Sequence, residues 1–234
     1  MNAKKLNLHE AIDFHHSERV GTITLDDGKV NALGPDKWYA LEQAFDLAEE
    51  RNLIVVIKGR ERIFSGGFDL KEIQKGAREA VELTSQGSRL ARRIMAFPCP
   101  VIGVSTGHCI AMGAFLMLAC DYRIGVDGDY KVGLNETMIG MTMHHFGLEL
   151  ARSRLPNNFF NRCVFNAEMF SPMDAVGAGF YDLVVPEKDL EKSVFSAVKE
   201  FEGLNISAFK GSKTKGRVDL MKLLDECIEK DLFL

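Results

Sequence analysis

From Phe97 to Cys120 the chain carries no Asp, Glu, Lys or Arg, so any fold it adopts must take this run out of water. A bilayer-spanning helix is one way to do so, since about 20 apolar residues suffice. Pro98, Pro100, Ser105, Thr106, Gly107, His108 and Gly113 interrupt the run, however, and Asp121 and Arg123 follow at once. It reads instead as a buried strand over 101–104, a turn, and a short helix over 113–120. A helix apolar on every side sits inside a globular core, and the 234 residues are enough to bury one.

The flanking sequence supplies the rest of that core. Residues 19–25 alternate as a half-buried strand that closes on Asp26-Asp27-Gly28. Pro35 opens a helix to about Glu50, with Trp38, Leu41, Ala44, Phe45 and Ala48 on one face. The β-branched run 53–57 predicts a strand buried on both faces, and 77–95 a helix with Ala80, Leu83, Leu90, Ala91 and Ile94 along one side. A third strand spans 122–126. From Leu148 onward helices dominate, over 148–155, 158–165, 171–178, 190–201 and 218–230, with Ser171-Pro172 as a capped start. The class is α/β: a core over 1–190 and a C-terminal helical region over 191–234.

Composition narrows the function. Apolar residues make up 46% and charged residues 26%, as in ordinary soluble proteins. A net charge of −4 gives no domain-wide positive field for nucleic acid. Neither a secretory or transit signal nor a membrane span is expected. Five scattered cysteines without a Cys-x-x-Cys pair suggest neither a disulfide framework nor a metal cage, and a reducing, cytoplasmic setting follows.

Two glycine turns follow buried strands: Phe64-Ser65-Gly66-Gly67-Phe68-Asp69-Leu70 and Thr106-Gly107-His108-Cys109-Ile110-Ala111-Met112-Gly113-Ala114. Facing one another, they could present two backbone amides to a developing oxyanion, the second from a helix N-terminus. Spacing alone equally allows two tight structural turns. A third segment, Gly133-Leu134-Asn135-Glu136-Thr137, sets one carboxyl among apolar residues. Glu136 is either a buried proton carrier or an exposed residue starting a short helix. His144 and His145 suit the start of a helix better than proton transfer.

With Asp27-Gly28-Lys29-Val30-Asn31-Ala32-Leu33 before them and Ala119-Cys120-Asp121-Tyr122-Arg123 after, these segments resemble the crotonase (enoyl-CoA hydratase/isomerase) superfamily over nearly the whole chain. The resemblance implies a spiral of β-β-α turns, a helical trimerisation region, a homotrimer or dimer of trimers, and acyl-CoA thioester substrates. It implies no metal and no separate cofactor, coenzyme A arriving as part of the substrate. Matched motif to motif, the amide donors are Phe68 and Met112. The coenzyme A positions are Lys29, Val30, Ala32, Ser65, Gly67 and Phe68. Asp69 is left to cap a helix.

Departures from the family pattern choose the reaction. Hydratases of this family place a first glutamate where this chain has Phe115, and keep a second where it has Glu136. One carboxyl suits a shuttle that moves a double bond, and the Gly133–Thr137 run resembles mitochondrial delta-3,delta-2-enoyl-CoA isomerases. Hydration or hydrolysis with another partner for Glu136, and acyl-CoA binding without catalysis, are the alternatives. The chain also stops soon after the basic stretch 210–217, where many relatives continue.

Overall fold

A computed structural model describes residues 4–233. The chain opens with three antiparallel strands, β1 (Lys4–His9), β2 (Ile12–His16) and β3 (Val20–Leu25). Sequence reading anticipates only the third. Ile12 and Phe14 do enter the core at a spacing of two, but Asp13, His15 and His16 are weak strand formers and obscure the pattern. Next comes α1 (Pro35–Glu50), with proline in its first turn and the expected apolar face buried.

Three similar units then build the centre. β4 (Ile54–Gly59) and β5 (Arg62–Ser65) lead to α2 (Leu70–Ile73) and α3 (Ala77–Ala96). β6 (Val101–Ser105) and β7 (Gly107–Ile110) lead to α4 (Met112–Ala119). β8 (Tyr122–Val126) and β9 (Val132–Gly133) lead, through a 3-10 turn at Thr137–Ile139, to α5 (His145–Arg154). The uncharged run is thus spent on two strands and a wholly buried helix. Among the described residues no helix is long and apolar enough to cross a membrane.

Beyond α5 lie α6 (Asn157–Val164), α7 (Pro172–Ala178), β10 (Leu183–Val185), α8 (Leu190–Glu202) and α9 (Ile206–Asp231). Ser171 caps α7 as expected, accepting the Asp174 N–H at 3.2 Å. The last third is not all helical, however, because β10 extends the main sheet parallel to β8. Three half-buried residues are too short a run to show period-two alternation.

The first strands of the three units join a seven-stranded sheet ordered β1-β2-β3-β4-β6-β8-β10, and the second strands a small sheet ordered β5-β7-β9. This is the spiral of β-β-α turns implied by the resemblance. Both faces of the large sheet are covered. Val55 and Ile57 join the main core, whereas Ile54 and Val56 join Ile102, Val104 and Ile124 beneath Ala197 and Val198 of α8.

The last helix is longer than its sequence suggests. Gly211, Thr214 and Gly216 depress helix propensity before Val218, yet α9 is continuous from Ile206. Packing against α3 and α5 and a buried ion cluster override propensity. Lys213 Nζ lies 2.6 Å and Arg217 Nη2 3.1 Å from the buried Asp121 carboxyl, and Arg217 also donates to the Met95 carbonyl at 2.6 Å. These members of the basic stretch are therefore spent inside the molecule.

Candidate active site

The first glycine turn is held by Asn31, a buried side chain on a residue with φ of +50°. Its amide donates to the Leu25 carbonyl at 2.9 Å and the Phe64 carbonyl at 3.0 Å, while its oxygen accepts the Asp27 N–H at 2.9 Å. This ties the end of β3 to the end of β5. The Leu33 N–H donates to the Gly67 carbonyl at 2.8 Å, and the Asp69 N–H to the Leu33 carbonyl at 2.9 Å. In a parallel bridge such a pair flanks the residue between. The Phe68 N–H accordingly faces away from Leu33, on the side where β7 and α4 lie. Asp69 caps α2, accepting the Lys71 N–H at 2.9 Å.

The second turn ends at Ala111, which holds φ of +52° and donates to the Gly133 carbonyl at 3.0 Å. Met112 is the first residue of α4, so its N–H has no acceptor within the helix and lies at the positive end of the helix dipole. The turns close on each other through glycine. A Cβ on Gly67, where φ is +99°, would fall 2.8 Å from the Ala111 Cβ and 3.4 Å from the Met112 nitrogen; one on Gly113 would fall 2.7 Å from the Ser65 carbonyl. Two amides on adjoining turns can receive an oxygen that gains negative charge.

Beside them opens a cavity of about 340 Å³, with Phe68, Leu70, Val81, Thr84, Ala111 and Glu136 in its wall. Glu136 is 7% exposed, and its Oε2 is buried without a hydrogen-bond partner. Burial pushes its pKa up to about 7, with only its own backbone N–H pulling the other way. A carboxyl tuned to that range can both take and return a proton near neutral pH.

A second carboxyl borders the same cavity. Asp231, the last residue of α9, is 4% exposed. One oxygen accepts the His145 N–H at 2.8 Å and the other the Phe146 N–H at 2.9 Å, capping α5 from a distant part of the chain. His144 is a further wall residue, its ring 5.7 Å from that of Phe115. Burial holds its pKa down to about 4, against the pull of Asp231, so the imidazole is neutral. Its place at the start of α5 fits the packing role read from sequence. Asp231 escapes sequence reading because its partners lie 85 and 86 residues earlier.

Of the positions carried over for coenzyme A, Lys29, Val30, Ala32 and Phe68 line a surface groove of about 840 Å³. The groove shares Gly66, Phe68 and Leu70 with the cavity, so the two adjoin. Ser65 and Gly67 are absent from its lining. The Ser65 hydroxyl is buried, donating to the Asn31 carbonyl at 2.8 Å and accepting the Gly67 N–H at 3.1 Å; both residues brace the turn. Lys37, which sequence reading does not single out, also borders the groove. Its ammonium lies 2.7 Å from Asp27 and donates to the Ala32 carbonyl at 2.6 Å.

Comparison with known proteins gives this geometry a context. The enoyl-CoA hydratase/isomerase family model matches residues 15–230. A crystal structure of an enoyl-CoA hydratase/isomerase family protein from Pseudomonas syringae is 46% identical, with a TM-score of 0.94 over 96% of this chain and 98% of the other. A Mycobacterium tuberculosis protein described in one structure as an enoyl-CoA isomerase and in another as a probable enoyl-CoA hydratase is 34% identical, with a TM-score of 0.90 over 95% and 97% in the first. The human mitochondrial enoyl-CoA delta isomerase 1 is 27% identical over 63% of this chain, and a probable enoyl-CoA hydratase of Bacillus subtilis 32% identical over 56%. The chain spans about half the length of these last two curated relatives.

Proposed function

The chain belongs to the enoyl-CoA hydratase/isomerase family, and within it we propose that this protein shifts the double bond of a 3-enoyl-CoA thioester to the 2-position, with Glu136 as sole proton carrier. The observation that carries this reading is the unequal state of the two cavity carboxyls. Both Asp231 oxygens are taken by backbone amides, whereas Glu136 Oε2 is unpartnered. Phe115, 1% exposed, stands where hydratases of the family have their other glutamate and offers no proton.

In the proposed reaction the coenzyme A portion lies in the groove beside Lys29, Val30 and Ala32, and the acyl chain enters the cavity. Glu136 takes a proton from C2. The C2–H electrons move into the thioester, and the carbonyl oxygen becomes the anionic end of a dienolate, received by the Phe68 and Met112 amides. Removing one such donor typically costs about 3–4 kcal/mol of barrier. Glu136 then returns the proton to C4, leaving the double bond between C2 and C3. The apolar wall keeps water from the dienolate, with Phe115 packed behind His144.

The test is Glu136→Gln, assayed with 3-enoyl-CoA and by exchange of the C2 proton with solvent deuterium. Loss of both, with acyl-CoA binding kept within about threefold, supports the reading; retained turnover overturns it. Formation of 3-hydroxyacyl-CoA from a 2-enoyl thioester at the isomerisation rate would instead favour a hydratase.

A further inference from the structure

Phe68 and Met112 bring more than amides to the site, because each has a large side chain behind its N–H. Both side chains end on one residue of α3. Gly87 is buried, and a Cβ there would lie 2.8 Å from Phe68 Cε1, 3.0 Å from Phe68 Cζ and 3.1 Å from Met112 Sδ. No turn calls for glycine at this point, since position 87 is interior to α3 and has no positive φ. A glycine in a helix interior is weaker than alanine by about 1 kcal/mol, so helix formation does not account for it. The space it leaves does. Trp38 closes another side of the Phe68 ring, with centroids 6.1 Å apart, and Met112 is 1% exposed. Met112 has no open direction in which to retreat, which leaves the half-buried Phe68 ring the cavity side to move toward.

We propose that Gly87 is a positioning residue: by stopping both side chains against one bare stretch of helix, it sets how the Phe68 and Met112 amides meet the thioester oxygen. This rests on the two-amide role given above and adds a residue that touches no substrate. A methyl group at position 87 pushes on the far end of the Phe68 ring and on the Met112 sulfur. The two turns adjoin so closely that Gly67 has no room for a Cβ beside Ala111, so a ring driven toward the cavity crowds the place of the thioester oxygen and draws on the backbone of both turns. Oxyanion donors act only when aimed beforehand at the developing charge, so a displacement of a few tenths of an ångström is felt in kcat more than in KM.

The experiment compares Gly87→Ala, Phe68→Leu and the double variant by kcat, KM and C2-proton exchange. Leucine keeps the amide and removes the ring atoms nearest the new methyl. Gly87→Ala is expected to lower kcat and proton exchange at least tenfold, with KM changed less than threefold. The double variant is expected to return to within about threefold of Phe68→Leu alone. The proposal is overturned if Gly87→Ala keeps kcat within twofold of the wild type, or if the two losses simply multiply in the double variant. Should Gly87→Ala alone not fold, a folded double variant with the activity of Phe68→Leu supports the proposal, and an unfolded or inactive one overturns it. Proton exchange surviving in Glu136→Gln would instead defeat the proton-carrier reading while leaving the Gly87 comparison readable.

Discussion

Glu136, at the start of the turn after β9, and Asp231, at the end of α9, reach the same cavity with similar burial and different surroundings. Asp231 meets the first two amides of α5, a dipole end that favours an anion. Glu136 meets apolar walls and keeps its proton to about pH 7. Burial alone therefore does not make a carboxyl a proton carrier. What matters is burial with the hydrogen-bond partners withheld, and the fold does this by aiming a helix N-terminus at one acid and not at the other.

The sharpest way to break this contrast is to exchange the acids for amides. Glu136→Gln should cost about 10²–10⁴-fold in turnover, while Asp231→Asn should cost less than tenfold. In the wild type, kcat/KM should rise with pH through about 7 as Glu136 loses its proton. Equal losses in the two variants, or a profile flat from pH 5 to 9, would erase the distinction.

Stability gives the next largest effect, with opposite sign at the two sites. The folded Glu136 holds its proton from its ordinary value of 4.5 up to about 7, while the unfolded chain releases it. Native stability is thus lost as pH rises through that window, by up to about 3 kcal/mol above it. Glu136→Gln should accordingly raise the melting temperature at pH 8 and leave it unchanged at pH 4. Asp231→Asn keeps one acceptor and sets an NH₂ against the other amide. It should lower stability by about 1–3 kcal/mol, read by denaturant titration. The smallest expectation concerns a third residue of the same wall. His144 is neutral above about pH 4, so His144→Phe should move the midpoint of the kcat/KM profile by no more than a few tenths of a unit. A larger movement would mean that the ring carries charge in the working enzyme.

Much of the frame is legible in the sequence because its signals are local. Pro35 and the Trp38–Ala48 stripe fix α1, and the β-branched run 54–57 marks a strand covered on both sides. The paired Gly66-Gly67 locates the first turn, and Gly107 and Gly113 bracket the second. What escapes is set by distance or brevity. β9 and β10 span two and three residues, too few to show a period, and α9 crosses two glycines that signal a break. The site divides in the same way. Motifs single out Glu136, Phe68 and Met112 as candidates, whereas the bracing role of Ser65 and the capping by Asp231 depend on contacts between remote segments. Gly87 reads from sequence only as a weak point in an amphipathic helix; its use is visible once the rings behind it are placed.

The long reach of Asp231 also bears on how the molecule is assembled. During synthesis α5 emerges well before the final turn of α9, and for that interval its leading amides and the neighbouring wall have no acid to hold them. The pocket is therefore among the last features to mature, whatever the order in which the sheets form. A protease cut within α9 would leave Glu136 and both glycine turns in the chain yet remove the clasp on α5. Such a product would retain every residue the motifs identify, and would report on activity the loss of a contact made from the opposite end of the fold.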